Sequence, residues 1–150
     1  MPTYEPQDPR FGERVRASFA RQAFLATIGA TLERVAPGEV DIRLPFRAAL
    51  AQQHGFLHAG ATTTAVDTAC GYAALTLMPP GAAVLTVEFK VQLLEPAEGD
   101  SVLARARVLK SGRTLVFCAG DVYARRGGAE RLVATMLATC MVVMGRGIED

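Results

Sequence analysis

The stretch from Gln52 to Pro80, QQHGFLHAGATTTAVDTACGYAALTLMPP, constrains the fold more than any other part of the chain. It reads as a tight Gly/His loop running into one long apolar helix, from about Gly60 to Met78. Asp67 is the only formally charged side chain between Ala48 and Val87. A helix that is apolar nearly all round belongs in an interior or an interface. An isolated Asp is a poor helix-interior residue and costly to bury. It therefore needs either a structural partner, such as a nearby Thr or a distant Arg, or a chemical task. Burial would raise its pKa toward the range useful for a general base.

After Pro79-Pro80-Gly81 the hydrophobic period switches to two. Val87, Phe89, Val91 and Leu93 alternate with Glu88, Lys90 and Gln92, and Val102, Ala104, Ala106 and Val108 alternate with Arg105 and Arg107. Ser111-Gly112 and Gly127-Gly128 are hairpin signals. They bracket strands from Thr114 to about Arg125 and from about Arg131 to Met144. Upstream, Val40, Ile42, Leu44 and Phe46 mark a half-buried strand after the Pro37-Gly38 turn. Residues 10–29 read as an amphipathic helix, with Phe11, Val15, Phe19, Phe24 and Ile28 on one side and Arg10, Glu13, Arg14, Arg16 and Arg21 on the other. Residues 1–9, with three prolines, read as a flexible arm and 145–150 as a frayed tail. Short turns imply antiparallel neighbours. Strands of ~10 residues span about 33 Å, enough to curl around the apolar helix. The expectation is one α+β domain over residues 1–150: a curved antiparallel β-sheet wrapped around a long central α-helix.

Half of the residues are hydrophobic and the formal net charge is +1, which gives no electrostatic reason to expect nucleic acid or an anionic membrane as partner. No apolar stretch has the composition of a transmembrane helix and the N-terminus lacks a secretory h-region. Cys70, Cys118 and Cys140 are odd in number, lie in apolar runs and show no CxxC spacing, so they read as reduced core cysteines of a cytoplasmic protein. The two histidines, His54 and His58, have no acid or thiol nearby to complete a metal site, and no metal is expected. Arg105, Arg107, Arg125 and Arg126 read as solvated strand positions. Phe89, Phe117 and Tyr72 read as core or interface.

The start of the helix lacks a Ser/Thr/Asp/Asn cap, since His-Ala-Gly precedes it. Its free N–H groups need a turn, a water or a ligand oxygen, and a helix N-terminus favours negative charge. That is the chemistry of an oxyanion site. Ala59 and Asp67 are eight residues apart, about 12 Å along a helix. One reacting carbon cannot touch both within one subunit. If both act on one substrate, two helices must lie antiparallel, and a twofold dimer is the simplest source of the second. The many small residues of the helix allow such an approach, or plain packing on the sheet.

The segment Gln52-x-x-Gly55-x-x-His58-Ala59-Gly60, followed by Asp67-Thr68-Ala69, resembles the Asn-x-x-Gly-x-x-His-Gly-Gly…Asp signature of hotdog-fold acyl-CoA thioesterases, in the phenylacetic-acid-degradation (PaaI-type) branch. Thr86-Val87-Glu88-Phe89-Lys90, Leu93-Leu94-Glu95-Pro96, Gly112-Arg113-Thr114-Leu115 and Leu132-Val133-Ala134 continue the resemblance in order, over about residues 15 to 143. The resemblance implies a hotdog fold, a homodimer with shared active sites, often a homotetramer, and hydrolysis of acyl-CoA without a cofactor, coenzyme A being part of the substrate. It assigns Asp67 as nucleophile or general base, the N–H of Ala59 and Gly60 as oxyanion donors, His58 to shaping the loop, Gln52 to positioning water or thioester, and Thr86 to holding the attacking water. It places Lys110 and Arg113 near the CoA nucleotide. Two residues depart from the signature: Ala59 replaces a Gly and Gln52 an Asn. Ala serves as a main-chain donor if its φ is negative, while the extra methylene of Gln52 displaces its amide by about 1 Å. The alternatives are a non-catalytic acyl-CoA binding or sensing module, and a hotdog hydratase or dehydratase.

Overall fold

The computed structural model describes residues 3–150. Its elements are α1 (Phe11–Arg21), α2 (Ala23–Ile28), β1 (Thr31–Ala36), β2 (Glu39–Pro45), α3 (Ala59–Leu75), β3 (Ala83–Leu93), β4 (Ser101–Ser111), β5 (Leu115–Arg126) and β6 (Ala129–Val143). The six strands form one sheet in the order β1-β2-β4-β5-β6-β3, antiparallel throughout. The sheet curves around α3, as the switch from an apolar helix to period-two strands predicts.

The helix sits close to the sheet because both surfaces are small. Ala65, Val66, Ala69, Cys70, Ala73 and Ala74 are fully buried. Gly120 of β5 lies beneath them: a Cβ there would stand 2.4 Å from Val66 Cγ2 and 3.0 Å from Cys70 Sγ. The backbone of β5 is thus the floor on which α3 rests. The three cysteines are free and buried in this layer.

The C-terminal end of α3 is closed by Arg14. Its Nη1 donates to Pro79 O (2.8 Å), and its Nη2 donates to Leu75 O and Met78 O (2.9 Å each). Asp8, itself buried, pairs with it at 3.3 Å. The guanidinium neutralises the negative end of the helix dipole and satisfies carbonyls the helix leaves open. Arg14 therefore does not belong to a solvated face, as helical spacing alone suggested.

Three other expectations change. The single N-terminal helix over 10–29 is two helices, because Gln22 adopts an extended ψ of 96° and sends Nε2 to the Tyr72 hydroxyl at 2.7 Å. Of the arm, residues 1 and 2 lie outside the described residues. The rest is tied down: Gln7 Nε2 donates to Leu77 O at 2.8 Å and Tyr4 packs against the core. The tail is also held, since the Asp150 carboxylate accepts from Ser18 Oγ and from Val84 N–H, both at 2.8 Å. Phe89 and Phe117 are outside the core of this chain, at 46% and 43% exposed, whereas Tyr72 is buried. Among the described residues no helix is long and apolar enough to cross a membrane.

Candidate active site

The loop 52–58 is a self-bonded turn. Gln52 N–H donates to Phe56 O at 2.8 Å and Gly55 N–H to Gln52 O at 3.0 Å, with Gly55 at a φ of 86° that favours glycine. The Gln52 side-chain oxygen accepts from His54 N–H. His58 N–H donates to Leu50 O at 2.8 Å, and Leu57 N–H to Ala97 O at 3.1 Å, which anchors the loop to the connection between β3 and β4.

His58 turns out to be the N-cap of α3. With extended backbone (φ −61°, ψ 140°), its Nδ1 accepts from Gly60 N–H at 2.8 Å. The sequence reading found no cap here because imidazole is not among the usual capping side chains; an unprotonated ring nitrogen can nevertheless accept, and this fixes the ring proton on Nε2. Gly60 suits the contact, since a Cβ at that position would lie 3.0 Å from Nδ1. The consequence is chemical: the Gly60 N–H is already committed to His58. The Ala59 N–H is engaged by no acceptor among the described residues. No described residue other than glycine has a positive φ, so the replacement of Gly by Ala leaves the donor's backbone geometry unstrained.

Gln52, His58 and Ala59 line an open cleft of about 500 Å³, whose other wall is mainly apolar, with Leu93, Leu94, Pro96 and Val133, and carries the Glu95 carboxylate. Asp67 does not reach it. It lines a separate cavity of about 150 Å³ together with Thr68, Gly71 and Thr86. The carboxylate accepts from Thr86 Oγ1 at 2.8 Å. Burial pushes its pKa above the ordinary carboxylate value, and the Thr86 hydrogen bond pulls partly the other way.

A bulge brings Thr86 to this position. β3 pairs with β6 as Thr86↔Cys140 and then Glu88↔Thr139, with Val87 as the extra residue. Thr86 therefore faces α3 beside Cys140, while Glu88 turns away and accepts from Thr139 Oγ1 at 3.0 Å. Simple alternation along the strand would have put both on one face.

Lys110, on β4, and Arg113, in the β4–β5 turn, line neither cavity; Arg113 lies beside Pro79, past the C-terminal end of α3. Among the described residues no three His, Cys, Asp or Glu side chains converge as metal ligands would. The sequence reading missed Gln22, Tyr72 and Asp150 on the wall of the Asp67 cavity. Gln22 and Asp150 reach the cavity only through long-range folding, and no local spacing signals them; Tyr72 lies on α3 itself, five residues past Asp67.

A sequence model of the thioesterase superfamily matches residues 54–130, from the loop through β5. The chain belongs to the thioesterase superfamily. The human protein named acyl-coenzyme A thioesterase 13 is 31% identical over 112 residues, covering 73% of this chain and 79% of that one. A candidate esterase of Halobacterium salinarum is 35% identical over 96 residues, which are 61% of this chain and 63% of the relative, so the match spans just under two thirds of that protein. Among solved structures, a thioesterase family protein of Silicibacter pomeroyi superposes with a TM-score of 0.88 at 53% identity, covering 90% of this chain and 99% of that chain. The PaaI protein of Escherichia coli, from the phenylacetic acid degradation operon, superposes with a TM-score of 0.82 at 18% identity, over 93% of this chain and 97% of its own, and this likeness speaks for the fold alone. The curved sheet around α3 is the hotdog fold of this superfamily.

Proposed function

We propose that this thioesterase hydrolyses acyl-CoA esters at sites shared across a twofold homodimer. The observation that carries the proposal is the division of the two catalytic halves. Within one chain the free Ala59 N–H opens on one cavity and the half-buried Asp67 on another, about 12 Å apart along α3. An antiparallel partner helix would bring Asp67 of one protomer opposite Ala59 of the other. Edge strand β3 supports this pairing, because Leu85, Val87, Phe89 and Leu93 leave large apolar side chains exposed along it. An exposed, long, hydrophobic edge is a template for another chain. Phe117 and Leu137, exposed on the interior strands β5 and β6, supply a second contact and support a tetramer built from two such dimers.

In this reading the thioester carbonyl oxygen takes the Ala59 N–H at the positive end of α3. The Asp67 carboxylate either removes a proton from water as that water adds to the carbonyl carbon, or adds to the carbon itself. Both routes need it ionised. The C–S bond then breaks and the CoA thiolate leaves and is protonated; on the first route the free acid departs at once, and on the second the acyl group stays on Asp67 as a mixed anhydride until water cleaves it to the free acid and the regenerated carboxylate. Thr86 holds Asp67, Gln52 on the cleft wall positions the water or the thioester, and His58 keeps the helix start in place. No metal or cofactor enters. The reading of a mere binding module drew on Ala59 and Gln52 departing from the signature; the negative φ of Ala59 removes the first ground, and the turnover assay decides the second.

The test is a panel of acyl-CoA esters read by free thiol, with wild type beside Asp67→Asn. Wild type releases CoA and Asp67→Asn loses at least about a thousandfold in kcat, the scale seen when a catalytic base or donor is removed. Equal turnover in the variant would rule out the assigned role of Asp67.

A further inference from the structure

The far wall of the Asp67 cavity carries a directed chain of hydrogen bonds that ends on a carboxylate. Ser18 Oγ donates to Asp150 Oδ1 at 2.8 Å. A serine hydroxyl has one hydrogen, so in its 3.1 Å contact with the Tyr72 hydroxyl the tyrosine must be the donor. Tyr72 in turn accepts from Gln22 Nε2 at 2.7 Å. The Val84 N–H donates to Asp150 Oδ2 at 2.8 Å. Every hydroxyl hydrogen in the chain Gln22–Tyr72–Ser18–Asp150 is spent, and all point toward the carboxylate. Burial raises the Tyr72 pKa, so the phenol stays protonated and the direction holds. Tyr72 and Asp150 therefore offer the cavity acceptors: a lone pair on the phenol oxygen, and those of the carboxylate's roughly four acceptor positions that Ser18 and Val84 leave open.

The geometry points to a specificity device. We infer that the Gln22–Tyr72–Asp150 wall selects a short acyl group that carries a hydroxyl at the end remote from the thioester. The inference rests on the hydrolase reading above. A thioester carbon held between Ala59 and Asp67 has one cavity on each side. The pantetheine arm is the longer substituent and requires the cleft of about 500 Å³. The acyl group is left with the cavity of about 150 Å³, a volume comparable to an engineered cavity of ~150 Å³ that binds benzene. Tyr72 follows Asp67 by five residues, about 7.5 Å along the helix, within reach of a short chain's end. A terminal hydroxyl finds acceptors there. A terminal carboxylate meets Asp150 at the wall and Asp67 at the centre, and two like charges reject it.

The experiment compares kcat/KM for pentanoyl-CoA, its terminally hydroxylated counterpart, and glutaryl-CoA, on wild type, Asp150→Asn and Gln22→Leu. Ratios are taken within one preparation, so partial loss of folded protein cancels. Wild type should prefer the hydroxyl ester over pentanoyl-CoA by about tenfold, the worth of one hydrogen bond to a charged group, and should use glutaryl-CoA least. Asp150→Asn keeps the shape but replaces one carboxylate oxygen by an amide. It should bring the hydroxyl preference toward unity and raise glutaryl-CoA relative to pentanoyl-CoA; Gln22→Leu frees a further lone pair on Tyr72 and leaves Asp150 in place, so it should not lower the hydroxyl preference. Calorimetric binding of the same three esters to Asp67→Asn protein reads the wall without turnover. The expected binding order without turnover in wild type would sink the hydrolase reading and keep the wall. Turnover with equal ratios in wild type and Asp150→Asn, or no binding order, would overturn the wall.

Discussion

Gly120 is the position where fold and site are most tightly joined. A Cβ there would meet Val66 Cγ2 at 2.4 Å and Cys70 Sγ at 3.0 Å. Neither neighbour can step aside easily, because Val66 and Cys70 are fully buried between helix and sheet. Gly120→Ala must therefore lift α3 off β5, and overpacking of this kind costs about 2 kcal/mol. For a chain of this size that lowers Tm by roughly 4–8 °C. Asp67 follows Val66 directly, so the same lift should lengthen the 2.8 Å bond from Thr86 and reduce kcat. The decisive assay is a double-mutant cycle by thermal and urea unfolding. Val66→Ala makes a cavity when introduced alone, but in the Gly120→Ala background it removes the clashing methyl. The two changes should couple by about 1 kcal/mol or more in the favourable direction. A Gly120→Ala protein that melts with wild type, or strictly additive effects, would refute the packing account.

Two further predictions follow from the same geometry. Thr86→Val removes the hydrogen bond that lowers the Asp67 pKa and leaves the burial that raises it. Both routes need ionised Asp67, so kcat/KM falls as pH drops through its pKa, and the acid limb of the variant should lie at higher pH than that of wild type; an unmoved limb would contradict the assigned contact. Arg14→Met removes three carbonyl bonds at the C-terminal end of α3 and strands the buried Asp8 carboxylate, at a cost of about 3 kcal/mol in urea unfolding; a loss under about 1 kcal/mol would show that Arg14 does not close that helix.

Much of this architecture was legible in the sequence because it rests on periodicity. The apolar helix, the alternating strands and the Gly-Gly and Ser-Gly turns each state their own structure. β1 was missed because Glu33 and Arg34 are exposed and the strand shows no alternation; it is defined by pairing with β2, not by its own pattern. The break at Gln22, the Arg14 cap and the Asp150 anchor are long-range bonds between polar residues, and no local spacing encodes them. At the site, Asp67 was legible as the one charge in an apolar helix. The His58 cap was not, and it decides which N–H is free. The alternation in β3 also misled: Phe89 and Leu93 occupy its inward positions but extend beyond the cover of their own helix.

The most direct measurement uses heterodimers carrying Asp67→Asn on one protomer and Ala59→Pro on the other, purified by two tags. Proline is favoured at the first position of a helix, and the φ of −61° and ψ of 140° at His58 suit a residue before proline. Ala59→Pro thus deletes one N–H with little effect on the fold. Each homodimeric variant should be inactive. In the heterodimer one site carries both defects and the other is intact, so turnover should return to about half of wild type per dimer. A heterodimer as inactive as its parents, or a stable monomer that hydrolyses acyl-CoA, would contradict a site built from two chains.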